Sequence, residues 1–293
     1  MRSSRILAAS ALAVISVAVG LSATAMPAKA TTPANRVAPR ATVVRYVALG
    51  DSYAAGVGSD DYFPASGSCQ RSHYGYPQLW ANAHKPASFT FVACSGATTA
   101  DVIHTQLPAV RKSATLVSVT IGGNDANFTS ILGTCVLNAT DSCLSAVSAG
   151  EAFVREQLPK RLGVMLADIR KAAPSAKVVV VGYPEFYDMS VSSCQDILSS
   201  QDRAALDQGA AVLDKVLAVA AAHNRDVYAD VRDRFAGHQL CDAKSWIRGL
   251  TSPLADSYHP STSGQQYAYL PAFAAAVPGK PKSHRPRHCR PVA

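Results

Sequence analysis

Short runs of β-branched and apolar residues recur along this chain, and longer stretches rich in Ala and Leu separate them. Residues 43–49, 89–93, 116–121, 178–181 and 226–230 read as strands. Residues 76–83, 159–172, 203–222 and 264–276 read as helices. In the second of these, Leu162, Met165, Leu166 and Ile169 fall at helical spacing, and Pro159 suits a first-turn position. In the third, Leu206, Ala210, Leu213, Leu217 and Ala220 mark one face. The unbroken apolar run at 178–181 is what a strand buried on both sides requires. Strands alternating with helices predict an α/β fold with a parallel sheet covered on both faces. Ligands of such sheets bind beyond the carboxyl ends of the strands.

The ends of the chain do not share this pattern. Arg2 and Arg5 precede an apolar run from 6 to about 21, and Ala28-Lys29-Ala30 supplies a small-residue cleavage site. That order predicts a secretory signal peptide over 1–30 rather than a membrane anchor. Residues 31–42, rich in Thr, Pro, Ala and Arg, are expected to be a flexible lead-in. Residues 278–293 are basic, Pro-rich and nearly free of apolar side chains, so a disordered tail is expected there. Residues 43–277 remain, enough for one well-cored domain.

The formal charge of +8 belongs to those ends. Of 28 Lys and Arg, five precede residue 45 and five follow residue 277. The remaining 18 face all 20 Asp and Glu, a net of −2 on the domain. A nucleic-acid binder would carry its positive charge on the fold, so no nucleic-acid partner is expected. The seven cysteines include no C-x-x-C pair, which speaks against zinc or thioredoxin-like chemistry. In an oxidising compartment they should pair. Six in the domain allow 15 connectivities, of which the sequential one is favoured: Cys69–Cys94, Cys135–Cys143 and Cys194–Cys241. Cys289 is left over in the tail.

Three short motifs follow three of the strands. They are Gly50-Asp51-Ser52-Tyr53, Cys94-Ser95-Gly96-Ala97 and Gly122-Gly123-Asn124-Asp125. A fourth, Asp256-Ser257-Tyr258-His259-Pro260, lies near the domain's end. All four should gather at one rim of the sheet. Taken alone, Ser52 is most simply a helix N-cap, and the Gly-Gly-Asn-Asp run a turn. Together they can do chemistry. A serine hydroxyl needs a neighbouring base to take its proton, and His259 is the one histidine with a carboxylate three residues before it and a proline after it, in a loop between elements. Asp256 would fix the imidazole tautomer as in a triad. The Ser52 N–H, the Gly96 N–H and the Asn124 amide would form a three-donor oxyanion hole. Asp51 and Asp125 are expected to brace their loops. Tyr53, Phe128 and Tyr183 lie next to expected rim positions, where they would line an acyl groove or pack in the core.

The four motifs in this order resemble the SGNH, or GDSL, hydrolase family, and specifically its secreted actinobacterial lipase and esterase branch. The resemblance spans nearly the whole domain. It implies a flavodoxin-like three-layer α/β/α sandwich and ester hydrolysis without metal or cofactor. The implied partner is an acyl-ester small molecule or lipid, met by a monomer with no stable membrane insertion. In some relatives of this branch a backbone carbonyl two residues before the histidine orients it, here that of Ser257; the triad with Asp256 is the expectation for this chain. An acetyl-carbohydrate esterase or phospholipase on the same fold is the alternative, and a cell-wall or carbohydrate-binding module the non-enzymatic one. A chymotrypsin-like protease would place its serine last, and an α/β-hydrolase would need a second glycine after Ser52.

Overall fold

A computed structural model describes residues 43–277. The expected signal peptide, lead-in and tail, with Cys289, lie outside the described residues. In chain order the main elements are β1 Arg45–Gly50, α1 Ser52–Ala55, α2 Tyr76–His84, β2 Ser88–Phe91, α3 Thr99–Asp101, β3 Leu116–Thr120, α4 Phe128–Leu137, α5 Thr140–Glu156, α6 Leu158–Ala172, β4 Lys177–Val181, α7 Ser200–His223, β5 Val227–Ala229, α8 Arg232–Phe235 and α9 Leu270–Ala276.

The five strands form one parallel sheet in the order β2-β1-β3-β4-β5. This is the flavodoxin-like strand order, with its switch point between β1 and β3. β3 is buried along its whole length and β4 over its last four residues, as strands sandwiched between helical layers must be. One layer joins α2, the turn at Gly264–Tyr269 and α9. Its aromatics converge on Tyr46 of β1, whose ring stacks on Phe89 and Phe273 and meets Trp80 edge-on. The other layer joins α5, α6 and α7, and α6 buries Leu162, Met165, Leu166 and Ile169.

The sequence reading misses one feature. It assigns no helix or strand between residues 121 and 159, where the structure has α4 and α5, a helical hairpin packed on α7. Phe128, Ile131, Leu132, Cys135 and Val136 of α4 do fall at helical spacing, but over only ten residues, and α5 is rich in Ser, Thr, Gly and Ala. Small residues let α5 approach α7 closely: a Cβ on Gly209 of α7 would already touch Val147 of α5. Three disulfides join Cys69 to Cys94, Cys135 to Cys143 and Cys194 to Cys241. The second ties α4 to α5. Among the described residues, no helix is long and apolar enough to cross a membrane.

Candidate active site

The carboxyl ends of the strands deliver the motifs to one rim. β1 runs into Asp51, whose carboxylate caps α1 by accepting the Tyr53 N–H at 2.9 Å. Gly50 turns the chain with φ +129°, and a Cβ there would stand 2.4 Å from the Thr120 carbonyl oxygen of β3. Only glycine fits that approach. The buried amide of Gln106 pairs with both backbone groups of Gly50 at 2.8 Å, as a neighbouring strand would. The buried amide of Gln265 accepts from Tyr76 N and donates to Tyr53 O. Ser52 is thus set on a backbone clamped from both sides.

Ser52 Oγ lies 2.7 Å from His259 Nε2. On the other side of the ring, His259 Nδ1 lies 3.0 Å from the Ser257 carbonyl oxygen. A carbonyl can only accept, so the proton sits on Nδ1 and Nε2 is left free to accept from the serine hydroxyl. Burial lowers the imidazole pKa to about 4, against the opposing effect of the bond to Ser257. The ring packs against Tyr53, whose hydroxyl donates to the Tyr258 carbonyl at 2.5 Å.

This geometry corrects the expectation of a triad. Asp256 is buried but turned away from the imidazole, and its Oδ1 accepts from the Tyr62 hydroxyl at 3.1 Å. Leu254–Asp256 forms a single 3₁₀ turn, and Tyr258 has a left-handed φ of 61°. That backbone path aims the Ser257 carbonyl at Nδ1 and leaves the Asp256 carboxylate bonded to Tyr62, with no bond to either ring nitrogen. Tyr62 also accepts from the Gly58 N–H at 3.0 Å, and Gly58 sits so close that a Cβ would lie 2.8 Å from His259 Cβ.

Two further motifs complete the rim. Gly96 follows β2 with φ +80°, and nothing lies within 4 Å of where its Cβ would stand. Among the described residues, neither its N–H nor that of Ser52 donates to a backbone acceptor. After β3, one N–H of the Asn124 amide donates to the Ala97 carbonyl at 3.0 Å, and the other remains available. Asp125 accepts from Thr99 N and Oγ1 at 2.8 and 2.6 Å and pairs with Arg161 at 3.5 Å, so it ties two loops together. Asp51, its pKa raised to about 7 by burial, accepts from the Tyr183 hydroxyl.

Beside Ser52 and His259 opens a narrow cleft with about 80 Å³ of free space. Phe128, Ile131, Val147, Val154, Leu206 and Leu213 give it apolar walls from α4, α5 and α7. Tyr53, Phe128 and Tyr183 all reach it, as expected for rim aromatics, but Tyr53 and Tyr183 are themselves buried. Among the described residues, no group of three or more His, Cys, Asp or Glu is placed to hold a metal ion. Sequence reasoning missed Gln106, Gln265 and Tyr62, since a lone amide or phenol far along the chain carries no motif.

Comparison with known proteins places this geometry in context. The model of the GDSL-like Lipase/Acylhydrolase family matches residues 48–267. A lipase of Streptomyces rimosus is 44% identical over 240 residues, covering 82% of this chain and 89% of that protein. Lipase 1 of Streptomyces coelicolor is 43% identical over 233 residues, covering 79% and 86%. Among solved structures, the extracellular lipase of Streptomyces rimosus superposes with a TM-score of 0.78, covering 80% of this chain and all of that one. The phospholipase A1 of Streptomyces albidoflavus, 43% identical, superposes at 0.79 with the same coverage.

Proposed function

The chain belongs to the GDSL-like lipase/acylhydrolase family and is a carboxylic ester hydrolase, and from that premise we propose that it cleaves lipid acyl esters through an acyl-enzyme formed on Ser52. The observation that carries this reading is the 2.7 Å contact between Ser52 Oγ and His259 Nε2 at the mouth of an apolar cleft. Ser52 Oγ attacks the ester carbonyl carbon while His259 Nε2 takes its proton. The carbonyl oxygen, now negative, is held by the N–H groups of Ser52 and Gly96 and by the Asn124 amide. His259, charged for this interval, is steadied by the Ser257 carbonyl in place of a carboxylate. It returns the proton to the departing alcohol. Water then attacks the acyl carbonyl carbon while His259 Nε2 takes its proton, and His259 hands that proton to Ser52 Oγ as the acyl–serine bond breaks and the carboxylic acid leaves.

The apolar walls of the cleft favour a fatty acyl chain over an acetyl group on a sugar. One similar structure is a phospholipase A1, so phospholipids stand with glycerides and simple esters as substrates. The protein is secreted as a monomer and works without metal, cofactor or nucleic acid. Its resemblance to an extracellular lipase and the signal-like order of residues 1–30 support the secretion.

A direct test compares the wild type with Ser52→Ala on nitrophenyl esters from C2 to C18, on phospholipid and on acetylated xylan. Loss of all ester cleavage in the variant, with wild-type circular dichroism, is expected. A wild-type preference for acetylated xylan would move the substrate assignment to sugar esters, and an active Ser52→Ala would end the mechanism.

A further inference from the structure

The loop that carries Asn124 begins with Gly122 and Gly123, two residues with little conformational stiffness of their own. The position of the Asn124 amide must therefore come from ties to its surroundings. On the β2 side those ties are plain: Asn124 Nδ2 to Ala97 O, and Asp125 to Thr99. On the β4 side stands Tyr183. Its hydroxyl donates to Asp51 Oδ2 and accepts from the Gly123 N–H at 3.3 Å.

We propose that Tyr183 is a positioning residue of the ester hydrolysis: its phenol oxygen fixes the oxyanion loop to the nucleophile turn and so sets the distance between the Asn124 amide and the Ser52 N–H. This rests on the reading of those two groups as oxyanion donors.

Three features support the role. First, the phenol spends its one proton on Asp51 and a lone pair on Gly123, and the side chain is 4% exposed, so it has little left to offer a substrate. Second, its base is immobile. Tyr183 N donates to Asp214 Oδ1 at 2.9 Å, Gly182 N donates to Ala229 O at 3.0 Å, and Gly182 O accepts from Tyr269 at 3.0 Å. A Cβ on Gly182 would strike the Tyr228 hydroxyl and Asp214, so the backbone has no room to shift. Third, the ring meets Tyr53 edge-on at 4.8 Å between centroids, and Tyr53 in turn packs on His259. One side chain thus touches the nucleophile turn, the oxyanion loop and the packing behind the base. Small errors in such geometry are costly, because oxyanion donors act only at the right separation from the developing charge.

The experiment compares Tyr183→Phe, Asn124→Ala and the double variant in the full chain, on one short soluble nitrophenyl ester, with rates normalised to sites titrated by a fluorophosphonate. Tyr183→Phe should lower kcat by about 10- to 100-fold, below the ~10²–10³ of a lost donor, with KM within about threefold. The double variant should lose no more than about threefold beyond Asn124→Ala, since both changes spoil the same donor. A lowered melting temperature with unchanged kcat overturns the proposal, as do losses that multiply in full or a rise confined to KM. A silent Asn124→Ala removes the oxyanion reading and this one with it; a severe Asn124→Ala beside a silent Tyr183→Phe removes this one alone. If Tyr183→Phe does not fold, Asp51→Asn reads the same tie: its single amide oxygen cannot accept from both the Tyr53 N–H and the Tyr183 hydroxyl, so kcat should fall about tenfold or more with the fold retained; an unchanged kcat overturns the proposal.

Discussion

His259 takes its orientation from the carbonyl of Ser257, two residues before it, while the carboxylate of Asp256 bonds Tyr62 instead. The base and its orienter are therefore parts of one tight backbone turn. Nothing in this arrangement needs a charged partner for the imidazole.

The first consequence concerns Asp256→Asn. In a strict triad that change costs ~10⁴ in kcat. Here the acceptor on Nδ1 is a backbone group that survives the substitution, so kcat should stay within about tenfold of wild type. Stability should fall by about 1–2 kcal/mol, because a buried bond to Tyr62 is weakened. Steady-state kinetics beside a melting curve checks both; a loss near 10⁴ would restore Asp256 as the third catalytic residue.

The second concerns pH. Protonated His259 cannot accept the Ser52 proton, so activity is lost as pH falls through the imidazole pKa. Burial holds that pKa at about 4, below the ordinary 6.5. The acid limb of kcat/KM should accordingly lie well below pH 6.5, with substantial activity left at pH 5. The profile is to be measured on a neutral ester, after checking that the fold survives. An acid limb at 6.5 or higher would mean that water reaches the ring freely.

The third concerns acyl length. Gly209 of α7 lines the cleft, and a Cβ there would meet Val147 at 3.6 Å, an ordinary contact. Gly209→Leu should fold, helped by a gain of up to about 1 kcal/mol in helix propensity, and its side chain should fill the cleft. The ratio of kcat/KM for C12 to that for C4 nitrophenyl esters should fall by about tenfold or more, on the scale of several lost methylene contacts. An unchanged ratio would place the acyl chain elsewhere.

The fourth concerns the disulfides. Cys135–Cys143 spans 8 residues and Cys194–Cys241 spans 47. Chain-entropy reasoning gives about 2.5 kcal/mol for the first loop and about 4 kcal/mol for the second. Replacing each pair by Ala should lower the melting temperature more for the longer loop. Calorimetry on the two double variants tests the order, and a reversal would show that native packing outweighs loop entropy here.

The sheet was legible in the sequence because its strands are continuous apolar runs, and the positions of Ser52, Gly96, Asn124 and His259 because each follows a strand or opens a loop with a motif. The hairpin of α4 and α5 was not. The stripe of α4, Phe128, Ile131, Leu132 and Cys135, spans barely two turns, and the buried stripe of α5, Cys143, Val147, Gly150 and Val154, includes a glycine and a cysteine that serve close helix contact and give a weak apolar signal. The role of Asp256 misled for a different reason. A carboxylate three residues before a histidine can reach Nδ1 or miss it, and the outcome depends on the backbone angles at Ser257 and Tyr258. Spacing does not carry those angles. Tyr183 was singled out as a rim aromatic, yet its hydrogen bonds join segments far apart in the chain, which no local pattern records.

The hairpin from Phe128 to Glu156 has a consequence of its own. It enters and leaves the fold between Asn124 and α6, closed on itself by Cys135–Cys143, and it supplies one wall of the cleft but none of the reacting atoms. One stretch of the gene thereby writes a single wall of the cleft apart from the reacting groups, while α7 writes the wall that faces it. A lineage could exchange this one cassette, or an engineer could transplant it, and reshape one side of the groove while leaving the scissors untouched.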